Sequence, residues 1–550
     1  MASRLTTYIV VLIVTGTVIA GLIVGAQRED LGGRVDLIIT NGRVFTGAGE
    51  DVAEAIAVQG NKILRVGSNR EIKRLRRAQT LMLDAHGASV LPGFIDTHVH
   101  LSEASRQRAG VDLTDADSPE AVQARIGSYA KAHPDSTWIR GHDWPSALSF
   151  DVLSTPGVLD DLVPERPVFL VTGDGRTAWA NDRALELAGI TRHTPSPRGG
   201  EIVKDPRTGE LTGVLMDSAQ ELVVRALPAP TDAERLEGLQ TAIREAHSAG
   251  VTSVHSIGDT ADDLDLYDTL HATGDLRLRV YSAVAVTPTG GQAQTDRLKA
   301  LRARYPDDPV LKAGAALVTL DGASGSSEGS DAAAVASDLS HLIAFLDARG
   351  WQTLIEAPTE AGVAAALDAV EMAQQTNPAP DRGRRHRIEQ VNGLDAELAA
   401  RMARLGVTAS IRPTGEESDA DAFRLVADAG ARVTFGSDWP SSILDPRRGL
   451  AAAQPGEVAG EEEVEQASAA PPTQEGLTLE RAVDAYTSAA AWTSFDDQRK
   501  GMLARGMLAD IVILTSDIFV PGTPLMDVEV DTTIFDGKIV HKRSPTSGTQ

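Results

Sequence analysis

Short apolar β-patterns alternate with helical patterns over most of the chain, and this alternation limits the fold more than any other feature. Such an order is typical of parallel βα units, in which a helix follows each strand. Eight patterns are candidate core strands, namely Val90–Phe94, Pro167–Val171, Ser253–His255, Ala315–Leu320, Gln352–Ile355, His386–Glu389, Thr408–Ile411 and Val433–Gly436. We therefore predict an α/β protein with a (β/α)8 barrel, whose active site lies at the carboxyl ends of the strands.

Both ends of the chain are rich in short β-patterns with tight turns. Val35–Gly47 contains an Asn-Gly turn, and Val528–Val540 contains an Asp-Gly turn. Such dipeptides between alternating apolar residues are typical of hairpins. We predict a small β-sandwich domain built from residues 31–90 and 500–545, and a barrel domain of residues 91–499.

The segment Tyr8–Ala26 has no charged residue and is about as long as a membrane-spanning helix requires, roughly 20 residues. Arg4 precedes it, which by the positive-inside rule places the rest of the chain outside the cytoplasm. Residues 1–30 are therefore predicted to be a transmembrane signal anchor. The alternative is a signal peptide cleaved after Ala26, which would give a secreted protein.

Composition excludes several classes of function. The net charge of -25 argues against nucleic-acid binding, because a phosphate backbone requires a basic surface. It argues equally against a polybasic lipid-binding patch. The chain has no cysteine, so disulfides and thiolate metal sites are excluded. Any metal ion must be held by histidine and carboxylate side chains.

Two motifs place metal-ligating residues at predicted strand ends. In LPGFIDTHVH, His98 and His100 are two apart and therefore point to the same side of a strand, where both can reach one ion. In FGSDWP, Asp438 also follows a strand, where it can ligate the ion or take a proton from water. The competing interpretation of Asp438 is a helix cap.

These motifs, together with RHRIEQ and GMLARGMLADIVIL, resemble the metal-dependent amidohydrolase superfamily, and more narrowly its "amidohydrolase 3" branch. Further segments that resemble this branch are Asp174–Asn181, Gly199–Leu215, Asp321–Ser326 and Tyr486–Ala490. The resemblance implies hydrolysis of C–N bonds in amides and related small molecules, with water activated by one or two divalent ions. It also implies a small-molecule substrate and, as one expectation, a homodimer.

Four positions depart from the pattern of that family. Leu317 stands where many members carry a carboxylated lysine that bridges two metals. Glu356 and Gln390 stand where the family has histidine ligands, and only the glutamate remains a good ligand for zinc. Arg176 replaces a histidine and could bind a substrate carboxylate. A binuclear site of the usual kind is therefore not expected.

The first hypothesis is a mononuclear hydrolase. His98, His100, Glu356 and Asp438 would hold one divalent ion, with zinc as the expected metal and Asp438 as the proton acceptor. The residues predicted to contact the substrate are Arg176, His255 and Trp144. Glu389, in the RIE motif, would orient a neighbouring side chain.

Two alternatives remain open at this point. One is a catalytically inactive, anchored binding protein, in which Arg176 and Glu356 pair with each other. The other is a hydrolase that uses carboxylates without a metal, which would leave the two histidines of the first strand unexplained. A Glu356 side chain that converges on His98 favours the enzyme, whereas one paired with Arg176 favours the binding protein.

Overall fold

The computed structural model describes residues 35–47, 53–114, 116–144, 158–173, 175–287, 291–320, 332–391, 394–414, 420–454 and 477–544. The predicted anchor, Tyr8–Ala26, lies outside these residues and stays a prediction; Asp174 and Asp321–Ser326 also lie outside them. Among the described helices, none is both long and apolar enough to cross a membrane. The described residues form two compact units, one of residues 35–93 and 497–544 and one of residues 94–496.

The first unit contains two β-sheets. The four-stranded sheet has the order Lys62–Gly67, Ala55–Gln59, Leu37–Thr40, Leu81–Asp84. The five-stranded sheet has the order Arg43–Val44, Ser89–Pro92, Ile511–Leu514, Val530–Phe535, Lys538–Lys542. Side chains from both sheets, such as Ile39, Val58 and Ile513, share one apolar cluster, which joins the two ends of the chain. The helix of this unit, Asn69–Lys73, begins with a capping box at Ser68.

The core of the second unit is a nearly closed parallel barrel, as predicted. Its strands are β1 (Phe94–Val99), β2 (Val251–Asp259), β3 (Arg279–Val286), β4 (Leu311–Thr319), β5 (Gln352–Glu356), β6 (Arg387–Glu389), β7 (Thr408–Ile411) and β8 (Val433–Phe435). Each strand pairs with the next in parallel register from β1 to β8. Between β8 and β1, a single parallel bridge joins Trp439 to Val99, and the amide of Asp438 donates to the carbonyl of His98 at 2.8 Å.

Helices of the second unit follow the strands or lie between them. They span Leu101–Gln107, Pro119–Ala132, Val158–Leu162, Asp182–Leu187, Glu221–Val224, Asp232–Ser248, Ala261–Thr273, Gly291–Arg304, Ala332–Asp347, Glu360–Thr376, Ala396–Leu405, Ala420–Asp428, Pro446–Ala452, Leu479–Ala485 and Ser488–Thr493. The helix that follows β2, Ala261–Thr273, illustrates how residues at its two ends define where a helix begins and ends. Thr260 caps its first turn, and Gly274, at a φ of 77°, adopts the left-handed conformation that ends it.

A separate six-stranded sheet is inserted between β1 and β2. Its order is Gly200–Lys204, Leu211–Asp217, Thr177–Ala180, Val168–Thr172, Ile139–Trp144, Val111–Asp112. The prediction that Pro167–Val171 forms a barrel strand was therefore wrong. Its residues pair in parallel with Ile139–Trp144 instead. A buried strand has the same apolar pattern in either sheet, so periodicity could not separate the two.

Two other strand predictions need correction. The third barrel strand is Arg279–Val286, which was not among the eight candidates. Its first residue, Arg279, is buried, and its guanidinium donates to the Pro309 carbonyl at 3.1 Å. The predicted strand Val90–Phe94 is divided at Gly93, with Ser89–Pro92 in the small unit and Phe94 at the start of β1.

Candidate functional site

Three side chains at the carboxyl end of the barrel form a candidate metal centre. His98 lies near the end of β1, His100 follows this strand directly, and Asp438 follows β8. One ligand atom of each lies within 4.8 Å of the other two. The Oδ1 atom of Asp438 is 3.2 Å from Nε2 of His100 and 3.6 Å from Nε2 of His98. Gly436 allows the chain after β8 to lie close to His98, because a Cβ atom at position 436 would lie only 2.4 Å from Cβ of His98.

A buried carboxylate fixes the orientation of His98. Nδ1 of His98 lies 2.9 Å from Oε2 of Glu389, which is fully buried. Burial opposes the charge of Glu389, yet the Arg387 guanidinium and His98 lower its pKa to about 2, so the carboxylate is ionised and accepts the proton of Nδ1. The opposite nitrogen, Nε2, is buried and has no hydrogen-bond partner among the described residues. Nε2 is therefore the nitrogen left for a metal ion.

Arg387 links this carboxylate to the barrel strands around it. Its Nη2 lies 2.7 Å from Oε1 of Glu389 and donates to the Thr97 carbonyl at 2.6 Å. Its Nη1 donates to Nδ1 of His255 at 2.6 Å. The Arg387 and His255 side chains are both fully buried. His255, predicted to contact substrate, thus lies in a buried network beneath the histidine pair.

Asp438 is held in its position by backbone and side-chain contacts. Its φ of 63° is in the left-handed region that few non-glycine residues adopt, which is a form of strain found at functional sites. Nη1 of Arg412 lies 3.1 Å from its Oδ2. Burial raises the pKa of Asp438, but the hydrogen bond with His100 and the charges of both histidines outweigh it and lower the pKa overall. The same hydrogen bond raises the pKa of His100.

Asp96 ties the first and last strands together behind the two histidines. Its carboxylate accepts from the backbone amides of Ser437 at 3.0 Å and of His98 at 3.1 Å. Burial raises the pKa of Asp96 to about 6. No sequence pattern could assign this role, since residues 96 and 437 meet only when the barrel closes. Arg412 and Arg387 were missed as site residues for the same reason.

Three of the four departures from the family pattern lie in the barrel strands or directly after one. Glu356 ends β5 with Oε1 3.9 Å from Nε2 of His98, and Thr319 donates to its other oxygen at 2.7 Å. It lies near His98 but outside the group of three. Leu317 is buried in an apolar cluster with Leu354. Gln390 is half-buried at a φ of 53°.

Two residues predicted to contact substrate have other surroundings. Arg176 is exposed and lies 3.4 Å from Asp217, so the alternative pairing of Arg176 with Glu356 is not formed. Trp144 is buried in the apolar core of the six-stranded sheet, where its ring packs edge-on against Trp179. The structure therefore does not place either side chain with the three candidate ligands.

Comparison with known proteins agrees with this geometry. Residues 82–541 match the model of the Amidohydrolase family. The chain belongs to this family. At the level of fold, the solved structure of an uncharacterised metal-dependent hydrolase from Pyrococcus horikoshii OT3 superimposes with a TM-score of 0.59 at 21% identity, covering 89% of this chain and 99% of that one.

The chain aligns with two curated relatives over nearly their whole length. The chain is 27% identical to the putative amidohydrolase YtcJ of Bacillus subtilis (strain 168), over 90% of this chain and 97% of the relative. It is also 27% identical to the N-substituted formamide deformylase of Arthrobacter pascens, over 92% of this chain and 99% of the relative. Membership of the family thus extends through both units of the amidohydrolase.

Proposed function

We propose that this amidohydrolase is a metal-dependent hydrolase that cleaves a non-peptide C–N bond of a small molecule with one divalent ion. The observation that carries the proposal is the convergence of His98, His100 and Asp438, whose ligand atoms lie within 4.8 Å of one another. The relative named N-substituted formamide deformylase supports an amide as the bond that is cleaved.

The donor set fits a zinc-type ion. Two imidazole nitrogens and a carboxylate oxygen are a known ligand set for catalytic zinc, which keeps a further position open. Nε2 of His98 is buried and has no hydrogen-bond partner among the described residues, so it is available to bind a metal ion. When bound, an ion of this kind acts as a Lewis acid and makes water acidic near neutral pH. Glu356, 3.9 Å from His98, is the fourth proposed ligand.

The protein's own groups supply proton transfer and orientation. Asp438 has its pKa lowered and is therefore ionised, so its carboxylate is able to accept a proton from the attacking water. Arg412 restrains this carboxylate through its second oxygen, at 3.1 Å. Glu389 fixes the proton of His98 on Nδ1.

Leu317 limits the site to a single ion. A leucine cannot bridge two metals, and here it is 4% exposed and surrounded by apolar side chains such as Ile257 and Leu354. Among the described residues, the only group of three candidate ligands is His98, His100 and Asp438, and it contains no second carboxylate that could bridge two ions. We therefore propose one ion and not two.

Elemental analysis of the purified protein tests the proposal. About one zinc, manganese or iron ion per chain is expected, and the double variant His98→Ala, His100→Ala is expected to lose it. The matched control is His86→Ala, which removes an exposed histidine in the small unit and is expected to retain the metal. Screening of small N-substituted amides then tests the reaction, with the double variant as the inactive reference.

The second candidate function is an inactive binding protein. The position of Glu356 favours this alternative, because one oxygen of Glu356 accepts a hydrogen bond from Thr319 and Glu356 lies outside the group of three candidate ligands. Absence of bound metal after treatment with excess zinc would contradict the hydrolase and support the binding protein. Metal binding together with hydrolysis of an amide would exclude the inactive binding protein.

A further inference from the structure

Three arginines, Arg302, Arg349 and Arg382, lie together at the amino end of β5 and form what we call the arginine cluster. Arg349 precedes β5, whereas Glu356, near the candidate metal centre, ends this strand. Arg302 belongs to the helix before β4, and Arg382 belongs to the segment before β6. The cluster therefore lies at the end of the barrel opposite the metal centre. It concentrates positive charge on a chain whose net charge is -25.

The guanidinium groups of Arg302 and Arg382 meet at one backbone oxygen. Nη1 of Arg302 and Nη2 of Arg382 donate to the carbonyl of Gly350 at 3.2 Å and 2.9 Å. Nη1 of Arg349 donates to the carbonyl of Phe345 at 3.0 Å. These hydrogen bonds satisfy carbonyl groups at the carboxyl end of the helix that follows β4, which gives the cluster a structural role.

That structural role leaves most of the positive charge without a counter-ion. Among the described residues, no carboxylate lies within 4.0 Å of the guanidinium group of Arg302, Arg349 or Arg382. Asp347, at the end of the same helix, is already paired with Arg384 at 2.8 Å. The carboxyl end of a helix carries only about half a negative charge, so the cluster keeps an excess of positive charge.

Two of the guanidinium groups also keep donors that a ligand can reach. Nε and Nη2 of Arg302, and Nε and Nη1 of Arg382, have no hydrogen-bond partner among the described residues and are not buried. Nε and Nη2 form one edge of a guanidinium, which suits a bidentate contact with phosphate. The Arg302 group lies 5.0 Å from the ring centroid of Trp351, and the Arg382 group lies 4.2 Å from that of Phe495. These ring contacts restrain both groups before a ligand binds.

Repulsion within the cluster favours an anionic ligand. Burial and the positive charge of Arg382 both lower the pKa of Arg302. An anion that contacts both side chains offsets this repulsion. A phosphate dianion offsets more of it than a carboxylate does, because it carries more charge, and its several oxygens can accept from both arginines together.

We infer that the arginine cluster binds a phosphate group. Nε and Nη2 of Arg302 donate to its oxygens, Arg382 donates to a further oxygen, and the exposed Arg349 adds positive charge. The phosphate belongs to a small soluble molecule and not to a lipid headgroup, because Arg302 and Arg382 are half-buried, whereas a flat bilayer surface contacts exposed side chains. The inference does not depend on the proposed hydrolysis.

Titration calorimetry on the purified full chain tests the inference, with inorganic phosphate and acetate as probes at constant ionic strength. Phosphate is expected to bind with a dissociation constant below about 10 mM, and at least about 10-fold more tightly than acetate. Arg302→Gln is expected to abolish this preference, whereas Arg302→Lys keeps the charge and is expected to keep part of it. Arg304→Gln, on the same helix but paired with Asp265, is the matched control and is expected to leave phosphate binding unchanged.

Equal affinity for phosphate and acetate in the wild-type chain would overturn the inference, and so would a preference that survives in both Arg302→Gln and Arg382→Gln. Phosphate is expected to bind the His98→Ala, His100→Ala variant with unchanged affinity. Loss of binding in that variant would place the phosphate at the metal centre and overturn the inference, even where the arginine variants fail to fold.

A third probe, phosphatidic acid with short and water-soluble acyl chains, separates the two sources of the phosphate. It is expected to bind more weakly than inorganic phosphate, because its acyl chains find no room beside half-buried arginines. Tighter binding of the phosphatidic acid, lost in Arg302→Gln, would overturn the choice of a soluble ligand.

Discussion

Removal of the charge on Glu389 is the perturbation whose effect the structure defines best. The Glu389→Gln substitution preserves shape but leaves Arg387, which is fully buried, without a counter-ion. The carboxylate now lies 2.7 Å from Nη2 of Arg387 and accepts from His98 at 2.9 Å. The glutamine amide can present one oxygen, while its NH2 group would face another donor.

The expected loss of unfolding free energy is about 3–5 kcal/mol, the cost of breaking a buried ion pair by removing one partner. This is a large part of the roughly 5–15 kcal/mol by which folded proteins are stable. Urea unfolding followed by tryptophan fluorescence measures the loss. The same variant is expected to bind metal about 10- to 100-fold more weakly, because Glu389 orients the ligand His98.

A matched control separates the effect of burial from that of charge. Glu210 pairs with Arg192 at 3.3 Å, and both side chains are more than half exposed. Glu210→Gln is expected to change stability by less than about 1 kcal/mol, because exposed ion pairs contribute little. The combined variant Arg387→Met, Glu389→Gln is expected to recover part of the loss. A loss below about 1 kcal/mol for Glu389→Gln with unchanged metal affinity would refute the reasoning.

Three further variants test other parts of the second unit. Leu317→Ala is expected to cost about 2–5 kcal/mol in urea unfolding, because Leu317 is 4% exposed in an apolar cluster; a cost below about 1 kcal/mol would contradict its structural role. Gly436→Ala is expected to lower metal affinity, measured by competition with a chelator, because its Cβ would displace His98; unchanged affinity would show that the strands adjust freely. Burial raises the pKa of Asp259 from 3.8 to about 6, so between these values the native state holds a proton that the unfolded state releases. The wild-type chain is therefore expected to lose about 2 kcal/mol of stability as the pH rises from 4 to 6, at up to about 1.4 kcal/mol per pH unit. Asp259→Asn is expected to remove that part of the pH dependence in unfolding curves recorded across this range, and an unchanged slope would contradict the assignment.

Sequence patterns were sufficient to predict the class of fold and two of the candidate ligands. The alternation of β-patterns with helical patterns was sufficient to predict the parallel barrel, because it reflects strands buried on both faces. His98 and His100 were recognisable because a strand places residues two apart on one side. Only the resemblance to the family showed that Leu317 and Gln390 stand where other members carry metal ligands.

Tertiary structure alone decided which distant residues meet. Asp96 and Ser437 form a hydrogen bond across 341 residues of sequence, and His98 and Glu389 form one across 291. Such pairs depend on the order of strands around the barrel, which local patterns do not encode. The same limit explains why Pro167–Val171 was assigned to the wrong sheet, since a buried apolar strand has one pattern wherever it pairs. Glu356 is separated from the three candidate ligands by a few ångströms, and this distance depends on side-chain packing that a sequence pattern does not reveal.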